Sequence, residues 1–216
     1  GNVDYAVTYT QANDYLIFTN CIDPPWKFDG ATLSALANAP ICNCITSYKN
    51  RVLLGGTTET AVFYPFRVRW SEIGTIETWT DEYYQDTVDT PDWITSFVNL
   101  GQSCWMLKTE SMWDVQHVGG AGVFDIVKKF SRIGTNSPMS VSVYRDTCFF
   151  FGNDAIYHFD PSEQKPPKAL SDPLFDTLYQ TGTKIVNLGG AQRIHGSYVA
   201  QNHQYWFVVP TGDSTI

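Results

Sequence analysis

Positive charge is scarce in this chain. Fourteen lysines and arginines stand against 22 aspartates and glutamates, for a net charge of −8, and the basic residues nowhere form a block. A nucleic-acid groove works by displacing counterions with clustered cations, so direct reading of DNA is argued against. An acidic wall past which a duplex merely slides is still compatible with that balance. Charge of either sign is low, at 17%, while 43% of residues are hydrophobic. Disorder needs the opposite balance, so the chain folds. No apolar run reaches the roughly 18 residues of a membrane span, and no membrane insertion is expected. No leader-like pattern is seen at Gly1, and the abrupt ends at Gly1 and Thr215-Ile216 lead to the expectation of a stretch of a longer chain.

Cysteine and histidine are also few. The cysteines are Cys21, Cys42, Cys44, Cys104 and Cys148, and the histidines His117, His158, His195 and His203. Their spacing matches no zinc pattern, so neither metal nor cofactor is expected. Cys42-Asn43-Cys44 places two side chains on one face of an extended strand, a poor geometry for a mutual disulfide. The thiols are read as reduced core residues of a reducing compartment.

Aromatic residues, by contrast, are abundant at 15%, with 7 Trp, 12 Tyr and 13 Phe. Large flat side chains pack well across neighbouring strands. Hydrophobic stretches recur at Tyr15–Cys21, Arg51–Gly56, Cys104–Lys108, Cys148–Tyr157 and Gln204–Pro210. Their central residues Phe18, Leu53, Met106, Phe150 and Phe207 fall at intervals of roughly one propeller blade. Blade-like units are placed near 3–30, 41–70, 93–128, 138–160 and 194–210. Short strands separated by turns at a near-constant period predict an all-β fold. The expectation is a β-propeller or partial propeller of antiparallel three- to four-stranded blades, with a two-sheet sandwich as the alternative. One short helix is expected at Ser171–Gln180, where Ser171 is a plausible N-cap and Pro173 sits in the first turn.

Within the units, Val3–Thr10 alternates as a half-buried strand and pairs with Tyr15–Asn20. Ala31–Ala39 reads as a helical turn or loop. Thr57–Pro65 reads as an insertion before the strand Phe66–Trp70, Ser71–Tyr84 as mixed and polar, and Thr87–Asp92 as a linker.

No reactive constellation emerges. Gly119-Gly120-Ala121-Gly122 is followed by a β-like segment, so a tight turn explains it better than a phosphate cradle. Asp81, Glu82, Asp86, Asp89 and Asp92 cluster in one stretch, which reads as a solvated face or weak cation contact, since a glycosidase needs carboxylates facing across a cleft. His195 and His203 flank the last hairpin as ordinary polar residues, and no enzyme activity is expected. The tryptophans Trp26, Trp70, Trp105, Trp113 and Trp206 read as filling between blades. Trp79 and Trp93, beside the acidic stretch, are the candidate exposed contacts, together with Asp81, Glu82, Tyr83 and Tyr84. Trp79 also reads as tethering the 71–84 loop to the body.

Four segments in order resemble structural proteins of tailed-phage virions. Arg67-Val68-Arg69-Trp70-Ser71-Glu72-Ile73-Gly74, followed by Glu77-Thr78-Trp79, is similar to a strand and loop of that family. Met106-Leu107-Lys108-Thr109-Glu110-Ser111-Met112-Trp113 resembles one of its hairpins. Phe130–Val141 resembles the lead into its next blade, and Phe149–Asp160 another hairpin. Ala155 and Pro161 stand where the family pattern has glycine, which implies different turns on the same strands. The resemblance covers about Val52 to Pro210. It implies a virion component, assembled in the host cytoplasm, acting as hub, plug or adaptor at the head–tail junction or in the tail. The implied partners are other virion proteins in a symmetric assembly, with packaged DNA nearby but unread. It implies no catalytic residue. A glycan-binding propeller for host recognition is the alternative.

Overall fold

A computed structural model describes residues 7–171, 178 and 186–212. Among these residues five antiparallel sheets follow one another, each a simple meander. The first is built from β1 (Thr8–Ala12), β2 (Tyr15–Thr19), β3 (Trp26–Phe28) and β4 (Leu33–Ala35). The second comprises β5 (Ile41–Tyr48), β6 (Arg51–Glu59), β7 (Val62–Trp70) and β8 (Tyr84–Asp86). The third comprises β9 (Ile94–Leu100), β10 (Ser103–Lys108), β11 (Ser111–Gly119) and β12 (Val123–Ser131). The fourth comprises β13 (Ser142–Tyr144), β14 (Thr147–Phe151), β15 (Ile156–Phe159) and β16 (Lys168–Ala169). The fifth has two described strands, β17 (His195–Val199) and β18 (Gln204–Val208). The fold is a partial β-propeller, and the sheets are its blades.

The first strands lie innermost. β1 packs against β5, β5 against β9, and β13 against β17. Polar groups stitch this inner row together: Thr10 Oγ1 donates to Ser47 Oγ at 3.0 Å, and Asn99 Nδ2 to Thr46 Oγ1 and Ser47 O at 3.0 Å each. The five marker residues Phe18, Leu53, Met106, Phe150 and Phe207 all fall on the second strand of their blade.

Several hairpins close through two residues in the left-handed region, namely Asn13-Asp14, Lys49-Asn50 and Thr60-Ala61. That is the turn whose twist matches the flanking strands. The third of these corrects the expected insertion at 57–65, because those residues belong to one long β6–β7 hairpin. Pro65 is accommodated where the β6–β7 ladder slips between Gly55 and Thr57, so its missing N–H interrupts no regular pair. The expected helical turn at 31–39 contains β4, and the polar stretch after Ser71 ends in β8. Residues 138–140 form a 3-10 turn rather than the start of a strand. The glycine run after β11 is a 3-10 turn leading straight into β12, as expected for a turn. The expected helix at 171–180 falls largely outside the described residues, as does the beginning of the strand expected at 3–10. Ser171 itself accepts a hydrogen bond from Ile156 N at 2.8 Å, on the edge of the fourth blade.

Cores form between blades. Ile17, Leu36, Val52 and Leu54 fill the junction of the first and second. Leu53, Val68 and Trp70 meet Met106, Trp113 and Phe124 at the next. Trp105 and Leu107 meet Cys148, Phe150 and Phe159 at the third. Each blade is too thin to cover both its faces, so stability comes from such stacking. Cys42 and Cys44 line different junctions, the first and the second, which corrects the expectation that both occupy one face. The sheet is irregular at Gly56, which has φ of 64°, and the extra twist of such a bulge re-aims neighbouring side chains. The four buried cysteines, Cys42, Cys44, Cys104 and Cys148, are free thiols. Burial pushes the Cys42 and Cys148 thiols up to about 12 and Cys21 to about 11.

Candidate functional site

The strand directions divide the expected contact residues between two faces of the arc. Residues 71–83, joining β7 to β8, lie with the β5–β6 turn. The linker 87–93 lies at the far end of β8, with the β6–β7 turn. Trp79, Asp81, Glu82 and Tyr83 therefore sit apart from Trp93, with Tyr84 on the strand between them.

In the 71–83 loop, Trp79 is half-buried against the core of the first junction, and its Nε1 is buried with no hydrogen-bond partner among the described residues. It tethers the loop and is not an exposed contact. Tyr83 is half-buried too. It stacks on Trp70 with centroids 6.3 Å apart, and the Arg51 guanidinium lies 5.1 Å from its ring centre. Ser71 anchors the start of the loop, accepting from Val52 N at 3.0 Å and donating to Thr75 O at 2.8 Å. Asp81 and Glu82 are exposed, and Asp81 Oδ1 lies 3.4 Å from Arg69 Nη2.

The outer edge of the second blade carries the more organised surface. Arg67 is clamped between two aromatic rings, its guanidinium carbon 3.9 Å from the Tyr64 centroid and 4.0 Å from that of Tyr84. Asp86 grips the same guanidinium through Nε at 2.7 Å and Nη2 at 2.8 Å. A forked pair flanked by ring faces fixes the position of every member. The Asp86 carboxylate, through that hydrogen bond first, raises the Arg67 pKa and keeps the charge in place. At the tip of the hairpin, Phe63 meets Trp93 edge to face at 5.8 Å. Trp93 is 55% exposed and Phe63 41%. Exposed aromatics on a stiff support suit docking, because little conformational freedom is lost on contact.

That support comes from a buried network below Trp93. Lys108 is fully buried and its Nζ donates to Thr87 O at 2.9 Å and to Thr90 Oγ1 at 3.0 Å. Its ammonium lies 3.1 Å from Asp92 Oδ1. Asp92 Oδ2 accepts from Ser111 Oγ at 2.7 Å and from Glu110 N at 3.1 Å, and Trp113 Nε1 donates to Ser111 Oγ at 2.7 Å. Burial lowers the Lys108 pKa. It also works against the Asp92 carboxylate, but hydrogen bonds from Thr90, Ser111 and Glu110 hold that group below the usual carboxylate range. Thr135 N and Thr109 N close the linkers over this network, bonding Lys108 O and Trp93 O. Gly134 passes so close that an added Cβ would lie 2.4 Å from Lys108 O and 2.6 Å from Glu110 N.

The acidic stretch is therefore not one cluster. Asp92 belongs to the buried network, Asp86 to Arg67 and Asp81 to Arg69. Among the described residues no group of three or more His, Cys, Asp or Glu is arranged to hold a metal, and no helix is long and apolar enough to cross a membrane. The missed members were Lys108, read as the end of an apolar strand, and Asp92, read as solvated. A lysine closing the apolar run Cys104–Leu107 was the available signal, because a buried lysine requires a partner.

A second concavity lies between the fourth and fifth blades, a cleft of about 560 Å³ lined by Tyr144, Phe149, His158, Tyr198, His203 and Tyr205. Phe149 and Tyr205 are 3.5 Å apart between centroids, and Tyr144 and Tyr198 are 3.9 Å apart. Tyr198 Oη and His203 Nδ1 are hydrogen-bonded at 2.9 Å. His203 is thus more than a turn residue, since it orders an aromatic wall.

Fold and site together define a succession of propeller blades with aromatic edges. No family model matches the chain, and no curated protein matches it. Solved structures do. The extracellular domain of a hybrid two component system, BT4673 from B. thetaiotaomicron, superposes with a TM-score of 0.55 at 12% identity, over 95% of this chain and 26% of that one. A second structure of a BT4673 extracellular domain gives 0.55 at 12%, over 98% and 27%. This chain spans about a quarter of their length, and at such identity the likeness concerns the fold alone. BamB from Moraxella catarrhalis is more distant, at a TM-score of 0.44 and 7% identity over 76% of this chain and 49% of that one.

Proposed function

We propose that this chain is a structural protein of a tailed-phage virion, a hub, plug or adaptor at the head–tail junction or in the tail. The supporting observation is where the four resemblance segments fall. They occupy β7 with its loop, the β10–β11 hairpin, the linker between the third and fourth blades, and the β14–β15 hairpin. These are consecutive elements of one rigid frame, and the Lys108–Asp92 network ties two of them together. In this reading the blades are a stiff platform and no step of chemistry is performed. The Phe63–Trp93 pair and the Tyr64–Arg67–Tyr84 clamp dock onto neighbouring virion proteins. Many copies in a symmetric assembly add weak contacts into a stable one. The acidic charge lets packaged DNA pass without sticking.

The test is mass spectrometry of purified particles made from a genome carrying this chain, with Trp93→Lys alongside. The chain should be present at an integral copy number, and the variant should fold yet be depleted at least about tenfold from particles. Absence of the unaltered chain from particles sinks the proposal.

The cleft between the fourth and fifth blades favours a second reading, a glycan-binding propeller. It offers tyrosine rings beside hydroxyl and imidazole groups, the combination that orients sugars on an aromatic wall. Saturable binding on a glycan panel, lost in Tyr198→Ala, would support it; no saturable binding removes it.

A further inference from the structure

We infer that a pocket between the first two blades binds the carboxylate of an acidic sugar. The pocket holds about 290 Å³ and lies among the β1–β2 turn, the β5–β6 turn and the 71–83 loop. The first turn contributes Gln11 and Asn13, the second Lys49, Asn50 and Arg51, and the loop Thr75. Its walls are tied to one another. Asn13 Nδ2 donates to Gly74 O at 2.8 Å, and Gly74 N to Asn50 O at 2.8 Å. A concavity held open in this way loses little freedom when a ligand enters.

The argument turns on Arg51. A buried charge is costly unless it is paired and hydrogen-bonded. Among the described residues three basic side chains are buried, and two of them have a close carboxylate: Arg69 has Glu59 at 2.7 Å and Lys108 has Asp92 at 3.1 Å. Arg51, only 8% exposed, does not. Its nearest carboxylate oxygen, Glu72 Oε2, is 3.8 Å away, and the other oxygen of Glu72 accepts from Thr80 Oγ1 at 2.8 Å. Arg51 Nη1 donates to the Ser71 carbonyl at 2.6 Å, while Nε has no partner. Lys49 adds a second cation. Its Nζ reaches Gln102 Oε1 at 3.5 Å and has no carboxylate within 4 Å among the described residues. No aspartate or glutamate lines the pocket. Two cations against one distant carboxylate leave a single positive charge, in a chain whose net charge is −8. That balance fits one carboxylate better than a phosphate dianion, and a guanidinium matches carboxylate geometry. The other lining groups are amides and a hydroxyl, which both donate and accept and so suit sugar hydroxyls. An amino acid fits less well, because nothing acidic receives its ammonium and Lys49 and Arg51 repel it. The inference rests neither on the virion reading nor on the cleft between the fourth and fifth blades.

The test is titration of the full chain with glucuronate, followed by heteronuclear NMR, beside glucose, glutamate and inorganic phosphate. Glucuronate should saturate one site, move the amide signals of 47–52 and 74–76, and bind less tightly as salt is raised. Glucose, which lacks the carboxylate, should bind at least about tenfold more weakly, because charge-assisted hydrogen bonds are lost. Glutamate and phosphate should each bind more weakly than glucuronate as well. Lys49→Gln should weaken glucuronate at least about tenfold while keeping the parent's circular dichroism and melting temperature. Arg51→Gln should do the same; where that buried change prevents folding, the exposed Lys49 decides. Tyr198→Ala, in the other cleft, should leave glucuronate affinity unchanged. No saturable binding, signals that move only elsewhere in the chain, or affinity indifferent to Lys49→Gln would each overturn the inference. So would glucose, glutamate or phosphate binding as tightly as glucuronate.

Discussion

The third blade and the first share a strand order and differ in what covers them. In the third, β10 is apolar on both sides because neighbours lie on both sides: Met106 faces the second blade and Leu107 the fourth, and both are fully buried. In the first, Ile17 is fully buried against the second blade while Leu16, the next residue, is 42% exposed. That exposed side of the first blade is nonetheless written in the same apolar alphabet as a covered one. Side-chain pattern in a propeller therefore reports what a face is suited to meet, and the packing of other blades decides whether it is met. The same difference separates the polar groups. Lys108 and Asp92 are enclosed and mutually dependent, whereas the Lys27–Glu77 pair at 2.8 Å beside the first blade leaves Glu77 partly in solvent.

The sharpest way to break this comparison is Asp92→Asn. It leaves the Lys108 charge enclosed without its counter-ion and should cost about 3–5 kcal/mol in urea unfolding. Adding Lys108→Met to that variant should recover part of the loss, whereas additive losses would mean that the two groups act separately. Leu107→Ala should cost about 2–5 kcal/mol through the cavity it leaves. Gly134→Val comes next, at about 1–3 kcal/mol, because the new side chain collides with backbone at Lys108 and Glu110 and the linker must move. Leu33→Ser, on the bare face, should change monomer stability by no more than about 0.5 kcal/mol; a loss equal to that of Leu107→Ala would erase the distinction between the blades.

Acid should separate them as well. The Asp92 carboxylate is held below its ordinary range in the folded chain, so the stability it contributes is present above about pH 4. It is lost as pH falls through the folded value. Lys108, lowered by burial, works in the same direction at the alkaline end, where stability rises with pH as the buried ammonium is relieved of its charge. Thermal melts of the parent and Asp92→Asn should therefore converge as pH falls below about 4, and a constant gap would count against the enclosed pair. The smallest effect is expected on thiol labelling. Native chain at neutral pH should react slowly at every cysteine, Cys21 fastest because it alone is incompletely buried, with rapid labelling on unfolding.

Much of this was legible before any coordinates. Paired hydrophobic stretches and turn residues such as Asn13-Asp14 and Lys49-Asn50 are local signals, and they located the second strand of all five blades. The fourth strands of the first, second and fourth blades were not legible, whereas that of the third, β12, was. β4, β8 and β16 have two or three residues each, too few for alternation to register, and they form only because an existing strand offers its edge. Of the candidate contacts, Trp93 lies exposed, whereas Trp79 lies against the body, the second of the two readings its segment allowed, because whether an aromatic in a loop lies on the body or in water depends on a distant surface. Phe63 escaped notice because its segment read as an insertion.

From the order of residues alone came the all-β class, the succession of hairpins and the strand at the heart of each described blade, since hairpins are set by neighbours in the chain and by turn geometry. Tertiary structure alone decided that Lys108 would find Asp92 and that an acidic stretch would be divided among three partners. Those outcomes depend on which surfaces meet across tens of residues. Desolvation and packing act there on distances that no local pattern encodes.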